Sequence, residues 1–161
     1  MKQLLAAVDF SKNTEAVLAQ GASFAKALEV KLWVLHVASD ETQAMAYEST
    51  QFSGYVPEFV NMPGDVQLAR NLSADEIKRE HKQLLGISAR LRDEGVDAQA
   101  ILLKGDAAKL ILEKAADLQA EMILLGSHGH GLLHKALLGS VSEAVIRHAR
   151  CNVLIVPPAG D

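Results

Sequence analysis

The residues best suited to chemistry lie between Gly126 and Ser140, in the stretch GSHGHGLLHKALLGS, directly behind the apolar run EMILL. Glycines let backbone N–H groups approach an anion with no Cβ in the way, and a helix start adds partial positive charge. Three chemistries are open to such a stretch: a metal site, a phosphate cradle, or a plain connection. His128, His130 and His134 form H-x-H-x3-H. A transition-metal site needs converging ligands and usually a further carboxylate or thiolate. None stands near in sequence, so these histidines read as phosphate-edge or solvent-facing groups. Gly139 and Ser140 stand where a helix begins. Their amides and the Ser140 hydroxyl, with Ser142 close by, could hold phosphate oxygens, and Lys135 adds charge without needing contact.

The common phosphate fingerprints are absent from the sequence. There is no G-x-x-x-x-G-K-[ST], which disfavours a P-loop NTPase, and the first strand–helix turn, VDFSKNT, lacks G-x-G-x-x-G. What remains is Gly126, two residues, Gly129, nine residues, then Gly139-Ser140.

Five apolar runs are predicted to be strands: 3–8, 30–37, 98–103, 121–126 and 152–156. Their nearly continuous apolarity suits strands covered on both faces of a parallel sheet. Helical spacing is predicted over 12–28, with Ser11 or Asn13 as N-cap, and over 74–94, behind Ser73 and stopped by Gly95. It recurs over 106–119, capped by Asp106, and over 140–150. Strand and helix in alternation give an α/β fold, an open five-stranded parallel sheet sandwiched by helices, as a single domain over 1–161. In such sheets ligands sit beyond the carboxyl ends of the strands, where strand order reverses. The loop opened by Gly126 leaves such an end. So does Asp9, an Asp that could equally cap backbone amides of its own turn. Residues 39–72 break the rhythm and are read as an insertion.

The chain has 161 residues, 49% hydrophobic and 22% charged, with a net charge of −4. That composition suits a globular core and argues against a general nucleic-acid surface. No window approaches the roughly 20 apolar residues of a membrane span, and the N-terminal apolar stretch, interrupted by Asp9, is too short for a signal segment. The single cysteine, Cys151, excludes an intrachain disulfide and fits a reducing cytoplasm. It reads as a small, inert, near-core thiol. His36 reads as packed or hydrogen-bonded, His81 and His148 as helix-face residues, and DEIKRE (75–80) as a solvated helix face.

With these features in place, the chain resembles the universal stress protein family, in its ATP-binding branch. LLAAVDFSKNTEAVLAQGASFAKALEVKLWVLHV looks like the family's opening half, and MILLGSHGHGLLHKALLGSVSEAVIRHARCNVLIVPP like its closing half, with the G-2x-G-9x-G-[ST] motif intact. The resemblance implies a Rossmann-like fold of the adenine nucleotide alpha hydrolase-like kind. It implies Asp9 on the ribose and adenine side, Ala7 and Val37 framing the adenine, and Leu125 and Gly126 along the ribose-phosphate path. Gly129, Gly139, Ser140, Val141 and Ser142 would cradle the phosphates, mostly through main-chain amides. ATP would come with Mg²⁺ or Mn²⁺, held chiefly by the nucleotide. His130 stands where many relatives carry Arg or Lys, which makes His128 and His130 candidate modulators. The resemblance also implies a homodimer through strand 152–156, with higher oligomers and a regulatory protein partner left open. The function expected is a cytoplasmic, nucleotide-dependent stress-response switch. Its alternatives are a slow ATP hydrolase, without evident catalytic groups, and a nucleotide-independent interaction module using residues 39–72.

Overall fold

A computed structural model describes residues 2–39, 63–127 and 138–159, with the side chains of the middle segment described from Ala74 onward. In chain order the elements are β1 (Gln3–Val8), α1 (Thr14–Leu28), β2 (Lys31–Ala38), α2 (Pro63–Asp93), β3 (Ala98–Lys104), α3 (Ala107–Asp117), β4 (Met122–Gly126), α4 (Ser140–His148) and β5 (Asn152–Val156). The five strands form one sheet in the order β3-β2-β1-β4-β5, every neighbouring pair parallel. The chain builds outward from β1 to one side, then returns to add β4 and β5 on the other. β1 and β4 therefore flank the place where the order reverses.

Alternation along each strand divides the core between two faces. Leu4, Ala6 and Val8 of β1 join Leu32 and Val34 of β2 against α1 and α2. Leu5 of β1 and Leu35 of β2 join Ile123 and Leu125 of β4 against α3 and α4. Both faces are covered, which explains the unbroken apolar runs. α1 comes close to the sheet at Gly21, where a Cβ would lie 3.2 Å from Leu32 Cδ1.

Two features depart from the sequence expectations. α2 begins at Pro63, eleven residues before the expected start at residue 74, so 63–72 of the expected insertion is helical. Proline is favoured in a first helical turn, because its missing N–H has no intrahelical role there, and a serine inside a helix-competent run need not start it. The rest of that insertion, 40–62, lies outside the described residues. At α1, Asn13 occupies the N-cap position without a side-chain cap bond. Instead the Asn13 N–H donates to Ser11 Oγ at 3.3 Å, and Asn13 Nδ2 donates to the Val156 carbonyl at 3.1 Å, tying α1 to the end of β5. The remaining signals act as expected. Asp106 Oδ1 accepts from the Lys109 N–H at 2.8 Å to cap α3. Gly95, at φ +86°, follows the end of α2 in the left-handed region that glycine favours.

Candidate functional site

Above the β1–β4 junction lies a cavity of about 390 Å³, within the roughly 300–1,000 Å³ of small-molecule sites. Its walls come from the carboxyl ends of three strands and the starts of two helices. β1 and its turn supply Ala7, Val8 and Asp9; β2 supplies Leu35 and Val37; β4 supplies Leu125 and Gly126. α3 contributes Ala107 and Ile111, and the start of α4 contributes Gly139, Ser140, Val141 and Ser142. Nine of the ten residues expected at a nucleotide site therefore share one wall system: Ala7, Asp9, Val37, Leu125, Gly126, Gly139, Ser140, Val141 and Ser142. The tenth, Gly129, lies outside the described residues, as do His128, His130, His134 and Lys135.

Each part of this wall has a local cause. Ala7, Leu35 and Val37 point to the α3–α4 face because side chains alternate along a strand. Asp9 follows β1 directly, and its Oδ1 accepts from the Ser11 N–H at 3.0 Å, so the capping role open to it is realised while it also lines the cavity. α4 opens at Gly139, whose extended backbone (φ −64°, ψ 154°) makes no side-chain cap bond. The first intrahelical donor is the Glu143 N–H, to the Gly139 carbonyl at 2.9 Å. The amides of Ser140, Val141 and Ser142 thus belong to the first turn, where N–H groups have no intrahelical acceptor.

Two groups at the start of α4 are committed within the fold. The Gly139 N–H donates to the Ser127 carbonyl at 2.9 Å, so this amide is committed within the fold. The buried Ser142 hydroxyl donates to the Gly126 carbonyl at 2.7 Å, and its proton is likewise committed. Both groups hold the start of α4 against the end of β4. That leaves the amides of Ser140 to Ser142 and the Ser140 hydroxyl as the donors on this wall of the cavity.

The electrostatics are uneven. Asp9 is the one charged side chain among the described lining residues. The apolar part, Ala7, Leu35, Val37, Ile111 and Leu125, forms a slot that suits a flat, weakly polar ring. Leu35, Ala107 and Ile111 were not marked by the glycine pattern. Their signal is periodicity: Leu35 lies two residues before Val37 on a strand, and Ala107 and Ile111 share one helix face at i, i+4.

Other candidate groups lie elsewhere. Among the described residues no cluster of three or more His, Cys, Asp or Glu could hold a metal ion. His148 Nδ1 lies 2.9 Å from the Ala144 carbonyl on the outside of α4, and His81 is exposed. Cys151 is half-buried, and that burial raises its thiol pKa, which lowers its reactivity at neutral pH. Of DEIKRE, Asp75, Glu76, Lys78 and Arg79 are exposed as expected. Glu80 is not: its carboxylate faces His36 in the interior.

The chain matches the universal stress protein family over residues 1–157. It is similar to the universal stress protein YxiE of Bacillus subtilis, with 30% identity over 96% of this chain and 97% of that one. The solved structure of hypothetical protein MJ0577 superimposes with a TM-score of 0.72 at 26% identity, covering 99% of this chain and 98% of the other. The universal stress protein of Archaeoglobus fulgidus in complex with dAMP has a TM-score of 0.59 at 21% identity, covering 97% and 98% of the two chains. A universal stress protein in complex with cAMP gives 0.62 at 17% identity, with 98% of each chain covered. At those lower identities the likeness speaks for the fold.

Proposed function

The chain belongs to the universal stress protein family, and from that premise we propose that it binds an adenine nucleotide, ATP with a divalent metal, and uses its occupancy as a regulatory switch. The observation that carries this reading is the convergence of Ala7, Asp9, Val37, Leu125, Gly126 and the α4 start on one cavity at the sheet's reversal point. The apolar slot takes the adenine. The Asp9 carboxylate, beyond the bond it accepts from Ser11, is the acceptor on the ribose side. The first-turn amides of α4, with the Ser140 hydroxyl, take phosphate oxygens, favoured by the positive end of the helix dipole. Gly129 and the candidate modulators His128 and His130 belong to the same proposal by their place in the motif.

Charge balance supports the metal. A triphosphate placed beside Asp9 brings like charges together, and the described lining residues offer no cationic side chain. Mg²⁺ or Mn²⁺ carried by the nucleotide, and held chiefly by it, supplies the missing positive charge. Hydrolysis, if catalysed, is slow on this reading, and the protein works through occupancy. Family relatives in complex with dAMP and with cAMP support the adenine part of the proposal.

Two further parts go with it. β5 is an edge strand, and Val153, Leu154 and Ile155 are half-buried. We place a homodimer there, each β5 pairing with its copy. Among the described residues no helix is long and apolar enough to cross a membrane, and the proposed compartment is the cytoplasm.

Isothermal titration of the purified protein with ATP, AMP and cAMP, each with Mg²⁺, tests the binding reading. Micromolar ATP affinity, with AMP and cAMP weaker, supports the triphosphate cradle. Equal affinity for all three removes the phosphates from the explanation. No binding of any of them at millimolar concentration ends the proposal.

A further inference from the structure

On the opposite face of the sheet from the cavity, His36 sits at the end of β2, 6% exposed. Its Nδ1 lies 2.8 Å from the Val8 carbonyl, the last of β1. A carbonyl oxygen can only accept, so Nδ1 carries a proton. Its Nε2 lies 3.3 Å from Glu80 Oε2 on α2, and neither atom has another hydrogen-bond partner among the described residues. Because Nδ1 is committed, a neutral ring would aim the Nε2 lone pair at a carboxylate oxygen in a poorly solvated place. That arrangement repels. It becomes attractive only when one more proton lies between the two, on the imidazole or on the carboxyl group.

Among the described residues, no other charged group is buried against the pair. The strand neighbours of His36 in register are Val8 and Leu102, both apolar. Phe10 covers the imidazole, ring centroids 4.2 Å apart. On α2, Glu76, Lys78, Arg79, His81 and Lys82 are exposed, as is Lys104 at the end of β3. On the β1–α1 turn the titratable group is Asp9, whose Oδ1 accepts from the Ser11 N–H.

The same contacts hold the chain that shapes the cavity. Val8 and Asp9 line it, and Phe10, at φ 58°, is a non-glycine residue in the left-handed region. Such a backbone persists only where its surroundings over-determine it. Here those surroundings are the His36 bond on one side of Asp9 and the ring contact on the other. We propose that His36 and Glu80, sharing one proton, are positioning residues that lock the Val8–Phe10 turn and so set the placement of Asp9 in the nucleotide cavity. This rests on the nucleotide reading above. It gives α2 a grip on the cavity from the far side of the sheet.

Glu80→Gln tests it, because a glutamine amide N–H can donate to neutral Nε2 and needs no extra proton. ATP affinity at a single pH is expected to stay within about 2-fold of wild type in Glu80→Gln and to fall about 10-fold in Glu80→Leu, the loss from one charge-assisted bond. A second arm needs no nucleotide. In ¹⁵N-labelled protein the His36 ring should show a protonated Nδ1. The Asp9 and Phe10 amide signals should keep their positions in Glu80→Gln and move in Glu80→Leu. Equal affinities for the two variants, an unprotonated Nδ1, or turn amides unmoved in Glu80→Leu each overturn the proposal. If ATP binds none of the three proteins, the nucleotide reading fails, and the amide arm alone decides whether the pair positions the turn.

Discussion

Ser142 separates two readings of the α4 start, and Ser142→Ala is the sharpest test of them. Sequence alone makes this serine a phosphate contact, but its hydroxyl donates to the Gly126 carbonyl at 2.7 Å and the residue is 6% exposed. Removing the hydroxyl deletes a buried bond and leaves a carbonyl short of a donor, which costs about 1–2 kcal/mol. For a chain of this length each kcal/mol moves Tm by about 2–4 °C, so a fall of roughly 2–8 °C is expected without any nucleotide. Saturation adds its own stabilisation, about 2.7 kcal/mol at a hundredfold excess over Kd. Since the first-turn amides survive the substitution, that increment should be retained to within about 1 kcal/mol. Thermal unfolding by circular dichroism, with and without Mg-ATP, measures both quantities. A variant with wild-type apo stability and no ATP-induced shift would make the hydroxyl a phosphate ligand, and the anchoring argument would be wrong.

Removing the divalent metal with EDTA should weaken ATP binding by about 10-fold or more, because Asp9 and the polyphosphate then face each other uncompensated; an unchanged titration isotherm refutes that charge balance. Gly86 lies within α2, and a Cβ there meets nothing within 4 Å, so Gly86→Ala should raise unfolding stability by about 0.5–1 kcal/mol in urea melts. Loss of stability there would mean the outer face of α2 is covered in solution. In β5 the Asn152 N–H donates to Glu121 and the Val156 carbonyl accepts from Ser127, so residues 152, 154 and 156 face β4 and the Val153 N–H faces outward. Val153→Pro should then convert the dimer to monomer in sedimentation runs while sparing the β4–β5 ladder. A monomeric wild type, or a dimeric variant, counts against that interface.

Part of the cavity could be read from the sequence because its determinants are local. Asp9 and Gly126 follow from where strands end, and Gly139, Ser140 and Ser142 from where a helix starts at a glycine-serine pair, while Ala7, Val37, Leu125 and Val141 are implied only by the family resemblance. What escaped depends on packing between distant segments. Ala107 and Ile111 enter the wall only because α3 crosses the sheet beside β2, which the helix's own pattern does not reveal. Glu80 carries the same local charge pattern as its exposed neighbours Asp75 and Arg79, yet it meets His36 from across the chain. The start of α2 escaped for a different reason. Ser73 has a cap's chemistry, but helix-favourable sequence continues upstream to Pro63, and propensity over a long run outweighs one capping signal.

The two bonds between β4 and α4 bear on how a site with a negative wall could bind an anion well. Gly139 N–H to Ser127, and Ser142 Oγ to Gly126, join the end of β4 to the start of α4 at two adjacent points. Binding loses affinity in proportion to the freedom it must remove, and a helix start already fixed against a buried strand has little left to lose. On the proposed reading, the amides of Ser140 to Ser142 are presented by a stem tied to β4 before any ligand arrives, and their contribution needs no formal positive charge. In this arrangement Gly139 and Ser142 matter by being spent on the fold. Their commitment anchors three neighbouring residues of the cavity wall whose amides have no intrahelical acceptor.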